Sequence, residues 1–361
     1  HDLCKRVLRG DETFLRTVNL DNRAIADQVT ANPRGLTNLM GDGHRRAHQW
    51  WLRLFSPARM DGYRELAKPV IAATVDRFIA SGEADLVADF AKRIPVRVIA
   101  ALMRMPWDDD EWFDRLVALL DRVSVFFDMR PGDDPSDAIQ ASGEVTPMLL
   151  PFIRDRRGSD GSDMISVSWR EGPDLFEDWS ETDVVGMVQT MFLAGGHTTA
   201  GGITNASHLL LTRPEIASQI RADASLEAAF VEESLRLMGT AHFRARRANE
   251  DFEVGDVKVR KDDRILTVLA AADRDPSKYD HPNDFEMDRR ALRDHIAFNF
   301  GPRSCVGAAL ARMEIRESVH ALLHRLPHLR LNPDAPPPAL QGFALRAYGS
   351  LPVRFDTPAA G

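Results

Sequence analysis

The alternation of apolar and polar positions divides the chain into an ambiguous start, a long helical stretch, a β-rich insert and a helical and irregular end. Across residues 3–20, Leu3, Val7, Leu8, Phe14, Leu15 and Val18 fit two short strands around Gly10-Asp11, and they also fit a helix. From Asp21 to Trp179 the spacing turns helical. Apolar residues recur every three or four positions over 62–81, 84–104 and 109–127, with breaks at Ser81-Gly82, Pro106 and Pro131-Gly132. The polar run 155–163 predicts a loop.

A long apolar helix is predicted to start at Ser180, which forms a capping-box pattern with Asp183, and to continue through Val184, Val185, Met187, Val188, Met191 and Phe192 to Gly195. A helix over 226–238 follows, then a β-like stretch over 243–271, a Pro-containing loop through Pro282 and a helix over 306–326. Near the end, 343–348 and 351–355 predict a hairpin turning at Gly349-Ser350. No repeat or low-complexity block interrupts this order, so the expectation is one domain over 1–361, mainly α with small β-sheets.

With 361 residues and 44% hydrophobic side chains the chain can bury a large core. A net charge of −8 with no basic stripe argues against nucleic acid and against an anionic membrane. No run of eighteen apolar residues occurs and His1-Asp2-Leu3-Cys4-Lys5 is no signal pattern, so no membrane span is expected. The two cysteines, Cys4 and Cys305, form no C-x-x-C pair, which excludes a disulfide framework or a zinc site by spacing and points to a reducing cytoplasm. The first residue is not Met, which implies that a native N-terminal segment is absent.

Chemistry enters at Phe298-Asn299-Phe300-Gly301-Pro302-Arg303-Ser304-Cys305-Val306-Gly307, which runs into an amphipathic helix. A cysteine at a helix N-terminus meets unpaired N–H groups and the positive end of the dipole, which favour thiolate. Gly301 and Gly307 allow a tight turn and close approach of a flat cofactor, and Arg303 suits an anionic group. A lone cysteine is more often a buried structural residue. The segment, however, resembles the cytochrome P450 haem signature F-x-x-G-x-R-x-C-x-G at every specified position, including Phe298. That resemblance implies the cytochrome P450 fold, haem b and Cys305 as the iron ligand.

Further motifs fall in the family's order. Glu233-Ser234-Leu235-Arg236 looks like the family's E-x-x-R pair, with Arg289 of the P-x-x-F-x-x-x-R-like stretch Pro282–Arg289 as third member. Ala271-Ala272-Asp273-Arg274-Asp275-Pro276 is similar to the family's A-x-R-D-P run. Arg246 falls where the family keeps a propionate arginine, and equally fits a solvated strand position. His44 matches the first residue of H-x-x-x-R, but His48 replaces the arginine, which weakens propionate anchoring or makes it pH-dependent. Otherwise His48 is a surface residue and Arg45 or Arg46 takes that role.

The run Ala194-Gly195-Gly196-His197-Thr198-Thr199-Ala200-Gly201-Gly202 places four glycines in a helix, which suggests either a ligand approaching the backbone, a kink, or close packing of small residues. It resembles the family's A-G-x-[D/E]-T, whose acid and alcohol carry protons to dioxygen. His197 and Thr198 take those positions in one register, Thr198 and Thr199 in the other; the distances to Arg213-Pro214 and Glu233 favour the first. The carboxylate is missing in both.

The resemblance implies a monooxygenase that inserts one oxygen atom of dioxygen into a small organic substrate, a secondary-metabolite intermediate either free or carrier-bound. Electrons would come from a ferredoxin and its reductase, with Arg45, Arg46, Arg53, Arg312 and Arg316 as candidate contacts on a monomeric protein. Ala194, Gly195, Phe343, the segment before His44, and stretches 120–180 and 239–244 are the expected substrate contacts. The missing acid leaves open an atypical oxidation (coupling, desaturation, nitration) or a catalytically silent homologue acting as a partner protein. A free-thiol enzyme is a third reading.

Overall fold

The computed structural model describes residues 1–10, 14–16, 34–127 and 133–357. In chain order come α1 (Asp2–Arg9), β1 (Phe14–Arg16), α2 (Gly41–Leu54), α3 (Pro57–Asp76), β2 (Glu83–Asp85), a π-helical turn (Leu86–Ala91), α4 (Arg93–Leu102), α5 (Asp110–Ser124), α6 (Ser136–Asp155) and α7 (Met164–Leu175). The second half holds α8 (Glu181–Leu211), α9 (Pro214–Ala222), α10 (Glu227–Met238), β3 (Phe243–Ala248), β4 (Phe252–Val254), β5 (Val257–Val259), β6 (Arg264–Val268), α11 (Leu269–Ala272) and α12 (Ala308–Arg325). Strands β7 (Arg330–Leu331), β8 (Leu340–Gln341), β9 (Ala347–Tyr348) and β10 (Pro352–Arg354) end the chain. The mainly α architecture with small antiparallel sheets is the expected one.

Helix α8 is the axis of the molecule. The Asp183 carboxylate closes its first turn by accepting from the Ser180 amide at 2.9 Å and the Ser180 hydroxyl at 2.8 Å, and 31 residues then carry it about 46 Å. It packs against α4, α5, α6, α10 and α12. A helix surrounded in this way must be apolar all round, and Val184, Val188, Phe192 and Ile203 are wholly buried. Asn205 ties it to the connection beyond α10 by donating to the Met238 carbonyl at 2.8 Å and to that of Arg346 at 3.1 Å.

The glycine run is explained by packing. The helix passes unbroken through it. A Cβ on Gly195 would stand 2.9 Å from Ile99 Cδ1, one on Gly201 2.7 Å from Thr240 Cγ2, and one on Gly202 2.9 Å from Ile315 Cδ1. Small residues are what allow α4, α12 and the Thr240 segment to approach α8 closely.

Two local expectations are corrected, and one open choice is resolved. Residues 2–9 form a helix, because Leu8 packs into a small cluster with Leu269, Ala272 and Ile296; the strand reading holds only for Phe14–Arg16, which pairs with β3. Stretch 84–104 splits into β2, the π-helical turn and α4. The terminal hairpin does not form: β9 pairs with β8, and β10 pairs with β2 and β7. Asp85 diverts the chain, its carboxylate accepting from the Ser350 hydroxyl at 2.7 Å and the Leu351 amide at 2.9 Å. Asp11, the start of the helical pattern at 21–33 and Pro131-Gly132 lie outside the described residues. Residues 156–163 connect α6 to α7 as expected. Among the described residues no helix is long and apolar enough to cross a membrane.

Two helical glycines with different surroundings test this packing. Gly143 sits in α6, and a Cβ placed there would meet no atom within 4 Å, so Gly143→Ala should raise unfolding free energy by about 0.5–1 kcal/mol. Gly201→Ala should lower it by about 1–2 kcal/mol, overpacking against Thr240 outweighing helix propensity. Urea unfolding of both variants beside the parent checks the opposite signs.

Candidate active site around Cys305

Cys305 lies just ahead of α12, and the loop that presents it is held from several sides. Its amide donates to the Phe298 carbonyl at 2.9 Å. His48 of α2, buried, places Nε2 2.8 Å from the Ser304 carbonyl. Asn299, at φ 65°, donates through Nδ2 to the Arg303 carbonyl at 2.8 Å. Gly301 adopts φ 75°, and a Cβ there would meet the Leu8 carbonyl at 3.0 Å. Glycine is therefore favoured there both by the left-handed turn and by α1 crossing over the loop.

The Cys305 side chain is accessible, and loss of solvation is the largest influence on its thiol. Burial pushes the thiol up, while the Gly307 amide that donates to it and the charges of Arg244 and Arg312 pull it down. Desolvation outweighs the pull of the helix end here, so the thiol lies above its ordinary range. A Cβ on Gly307 would meet nothing within 4 Å, so the space beside the sulfur is open.

Positive and neutral donors surround this space. His44 and Arg246 are buried, and the rings of His44 and His48 lie 5.4 Å apart. Arg244 stands two residues before Arg246, on the same face of β3 by strand alternation. Burial pushes its guanidinium down and the neighbouring Cys305 sulfur pushes it up. Sequence reading missed Arg244, although the period of two was available to find it. Arg303, also buried, reaches the Leu39 carbonyl at 2.9 Å. Phe298 is part-buried beneath the Arg312 guanidinium, 4.5 Å from the ring centre. A soft sulfur donor with one amide bonded to it, open space beside a glycine, and buried cations near the sulfur fit a flat, iron-containing dianion such as haem.

Arg45 and Arg46 are exposed and pair with Asp42 at 3.3 and 3.4 Å, so His48, which is buried, is not a surface bystander. Arg312 is spent on Glu232 at 2.7 Å and Arg316 on Glu227 at 2.9 Å. Glu227, His320 and His324 also cluster within metal-binding range. There the carboxylate is already held by Arg316 on one oxygen and His320, at 2.6 Å, on the other.

Glu233, Arg236 and Arg289 form one buried network. Arg236 donates to both Glu233 oxygens at 2.7 and 2.6 Å and to the carbonyls of Asp273, Pro282 and Asp284 at 2.7–2.9 Å. Arg289 Nε donates to Glu233 Oε1 at 3.3 Å, and the Glu286 amide to the same oxygen at 3.0 Å.

On α8, Ala194 is exposed although its helix is buried, and Gly195 is half-buried. Thr198 donates from Oγ1 to the Ala194 carbonyl at 2.5 Å. His197 points elsewhere, toward Asp121 of α5, with Nδ1 4.0 Å from Oδ1. Phe343 is half exposed and meets Phe243 edge-on at 5.0 Å. The segment 17–33, part of the expected substrate contacts, lies outside the described residues.

Residues 154–350 match the family model described as Cytochrome P450. The chain is 32% identical over 318 residues to the cytochrome P450 monooxygenase PikC of Streptomyces venezuelae, covering 86% of this chain and 74% of that protein. It is 29% identical over 355 residues to the mycinamicin IV hydroxylase/epoxidase of Micromonospora griseorubida, covering 96% and 86%. The solved structure of CalO2 superposes with a TM-score of 0.86 at 26% identity, covering 98% of this chain and 89% of that one.

The network yields a pH prediction through Asp273, which is 2% exposed. Burial pushes its carboxyl up to about 6, against the pull of the Ile296 amide that donates to it. A carboxyl raised in the folded state opposes folding once it ionises, so its contribution falls as pH rises from about 4 to about 6. Asp273→Asn keeps an acceptor for Ile296 and removes that loss. The variant should gain on the parent progressively over this window, reaching on the order of 3 kcal/mol at pH 7, read from urea unfolding at stepped pH.

Proposed function

The chain belongs to the cytochrome P450 family and is a monooxygenase with haem b as its cofactor, and we propose that it holds the haem iron through Cys305 to hydroxylate or epoxidise a small secondary-metabolite intermediate, free or carrier-bound. The observation that carries this reading is the Cys305 sulfur, which accepts the Gly307 amide and feels the positive charge of Arg244. When bound, the haem supplies the activation of dioxygen that thiolate ligation favours.

Each residue has a task in this reading. The Gly307 amide and the loop bonds of Ser304 and Asn299 hold the sulfur in place. Arg244, Arg246, Arg303, His44 and His48 offer charge and hydrogen bonds to the propionates. Phe298 and Arg312 cover the sulfur's side of the site. Glu233, Arg236 and Arg289 are structural and lock the segment leading to the cysteine. Thr198 holds its hydroxyl proton on the Ala194 carbonyl and must turn to donate it toward a reacting oxygen. Ala194, Gly195 and Phe343 border the substrate space.

Relatives of this kind work with redox partners and dioxygen. For this chain we assign electron delivery to a ferredoxin with its reductase, docking near Arg45, Arg46 and Arg53 on α2, whose guanidiniums are exposed, whereas Arg312 and Arg316 are part-buried against Glu232 and Glu227. A cytoplasmic monomer, one domain over 1–361, completes the proposal, supported by one hydrophobic cluster that extends from Trp50 to Phe355.

Reduced protein under carbon monoxide should show the red-displaced Soret maximum of thiolate-ligated haem. Cys305→Ser should lose that maximum and all oxygenation, and Cys4→Ser should keep both. An unchanged spectrum in Cys305→Ser sinks the assignment. A screen for spin-state shifts with macrolide-like and carrier-linked compounds then identifies the substrate.

A further inference from the structure

The position at which the family keeps an acid carries His197, and the structure supplies a carboxylate to it from another helix. A cavity of about 250 Å³ lies between the start of α4, the end of α5, the middle of α8 and the β8–β9 turn. Lys92, Asp121 and His197 all line it. Lys92 Nζ holds Asp121 Oδ2 at 2.5 Å, and the other carboxylate oxygen, Oδ1, stands 4.0 Å from His197 Nδ1. Gln341, Thr204 and Tyr348 are the other hydrogen-bonding side chains among its described lining. Burial holds the Tyr348 hydroxyl above its ordinary range, so it stays protonated and uncharged. Lys92, Asp121 and His197 are therefore the ionic groups that face one another there.

Resting on the monooxygenase reading above, we propose that Asp121 and His197 jointly replace the family's single acid as the proton entry to Thr198. Asp121, anchored by Lys92, keeps a proton on His197 Nδ1 and steadies the ring when it is positive. Nε2 is then the nitrogen that exchanges protons. The 4.0 Å separation is beyond a direct hydrogen bond and suits one bridging water or a small ring rotation. The cavity is polar at these groups and large enough for several waters. In each passage the Nε2–H bond breaks, an O–H bond forms on the accepting water, and solvent returns a proton to Nε2. No electrons move in this step, so it needs no reagent beyond those of the monooxygenase.

The charge order explains why a histidine is tolerated. A carboxylate at 197 would face Asp121 across the cavity and repel it, whereas an imidazole is attracted. Asp121 is a positioning residue acting through His197.

The test uses the haem-loaded protein. Diethyl pyrocarbonate modifies only neutral imidazole, so its rate at His197, followed by peptide mass spectrometry across pH, reports that ring alone. Asp121→Asn should move the midpoint to lower pH, and Asp121→Glu should leave it near the parent. With a surrogate ferredoxin and reductase and the compound giving the largest spin-state shift, Asp121→Asn should lower product formed per NADPH about 10-fold or more, with matching peroxide release. Asp121→Glu should recover most of that coupling. The carbon monoxide spectrum should be the same in all three. A midpoint unmoved in Asp121→Asn, or unchanged coupling, overturns the proposal while that spectrum keeps the monooxygenase reading intact. A parent without the spectrum removes the reading and the proposal together.

Discussion

A carboxylate with no access to water governs the half of the molecule that presents the cysteine. Glu233 is fully buried, and the guanidiniums of Arg236 and Arg289 surround it. The two guanidiniums spend their remaining donors on carbonyls of Asp273, His281, Pro282 and Asp284. Those carbonyls belong to a segment with little regular structure, which has no ladder of its own to satisfy them. Removing one partner of such a group leaves an uncompensated charge, typically at about 3–5 kcal/mol. The network therefore sets the path of the chain between α11 and the cysteine loop. It leaves no freedom to relax.

Above that base the cysteine loop is fixed by contacts from distant elements: α1 crosses Gly301 and α2 supplies His48. The sulfur itself is disfavoured as an anion by its surroundings. That arrangement suits a ligand whose charge is completed by a metal, because a thiol that ionised unaided would leave a buried anion needing other partners.

The features written in consecutive residues were legible. The signature at Phe298–Gly307, the Glu233–Arg236 pair and the Ser180–Asp183 cap each depend on groups within ten positions, and each is where the pattern placed it. Features decided by a remote partner were not legible. The terminal hairpin failed because Asp85 captures the turn, and residues 2–9 chose a helix because a small cluster awaited Leu8. The glycines of α8 fitted ligand approach, a kink or close packing alike, and Ile99, Thr240 and Ile315 against them decide for packing. Asp121 belongs to the same class: nothing in its own helix marks it, and only the fold brings it to His197.

The link between Asp85 and Leu351 spans 266 positions. The sheet that joins β2 to β10 cannot assemble until β10 has been synthesised. Until then the segment preceding α4 has an unpaired strand edge, open to chaperones or to pairing with another chain. Closure of that sheet is thus a late and slow event, and shortening the last dozen residues would leave the edge permanently uncovered.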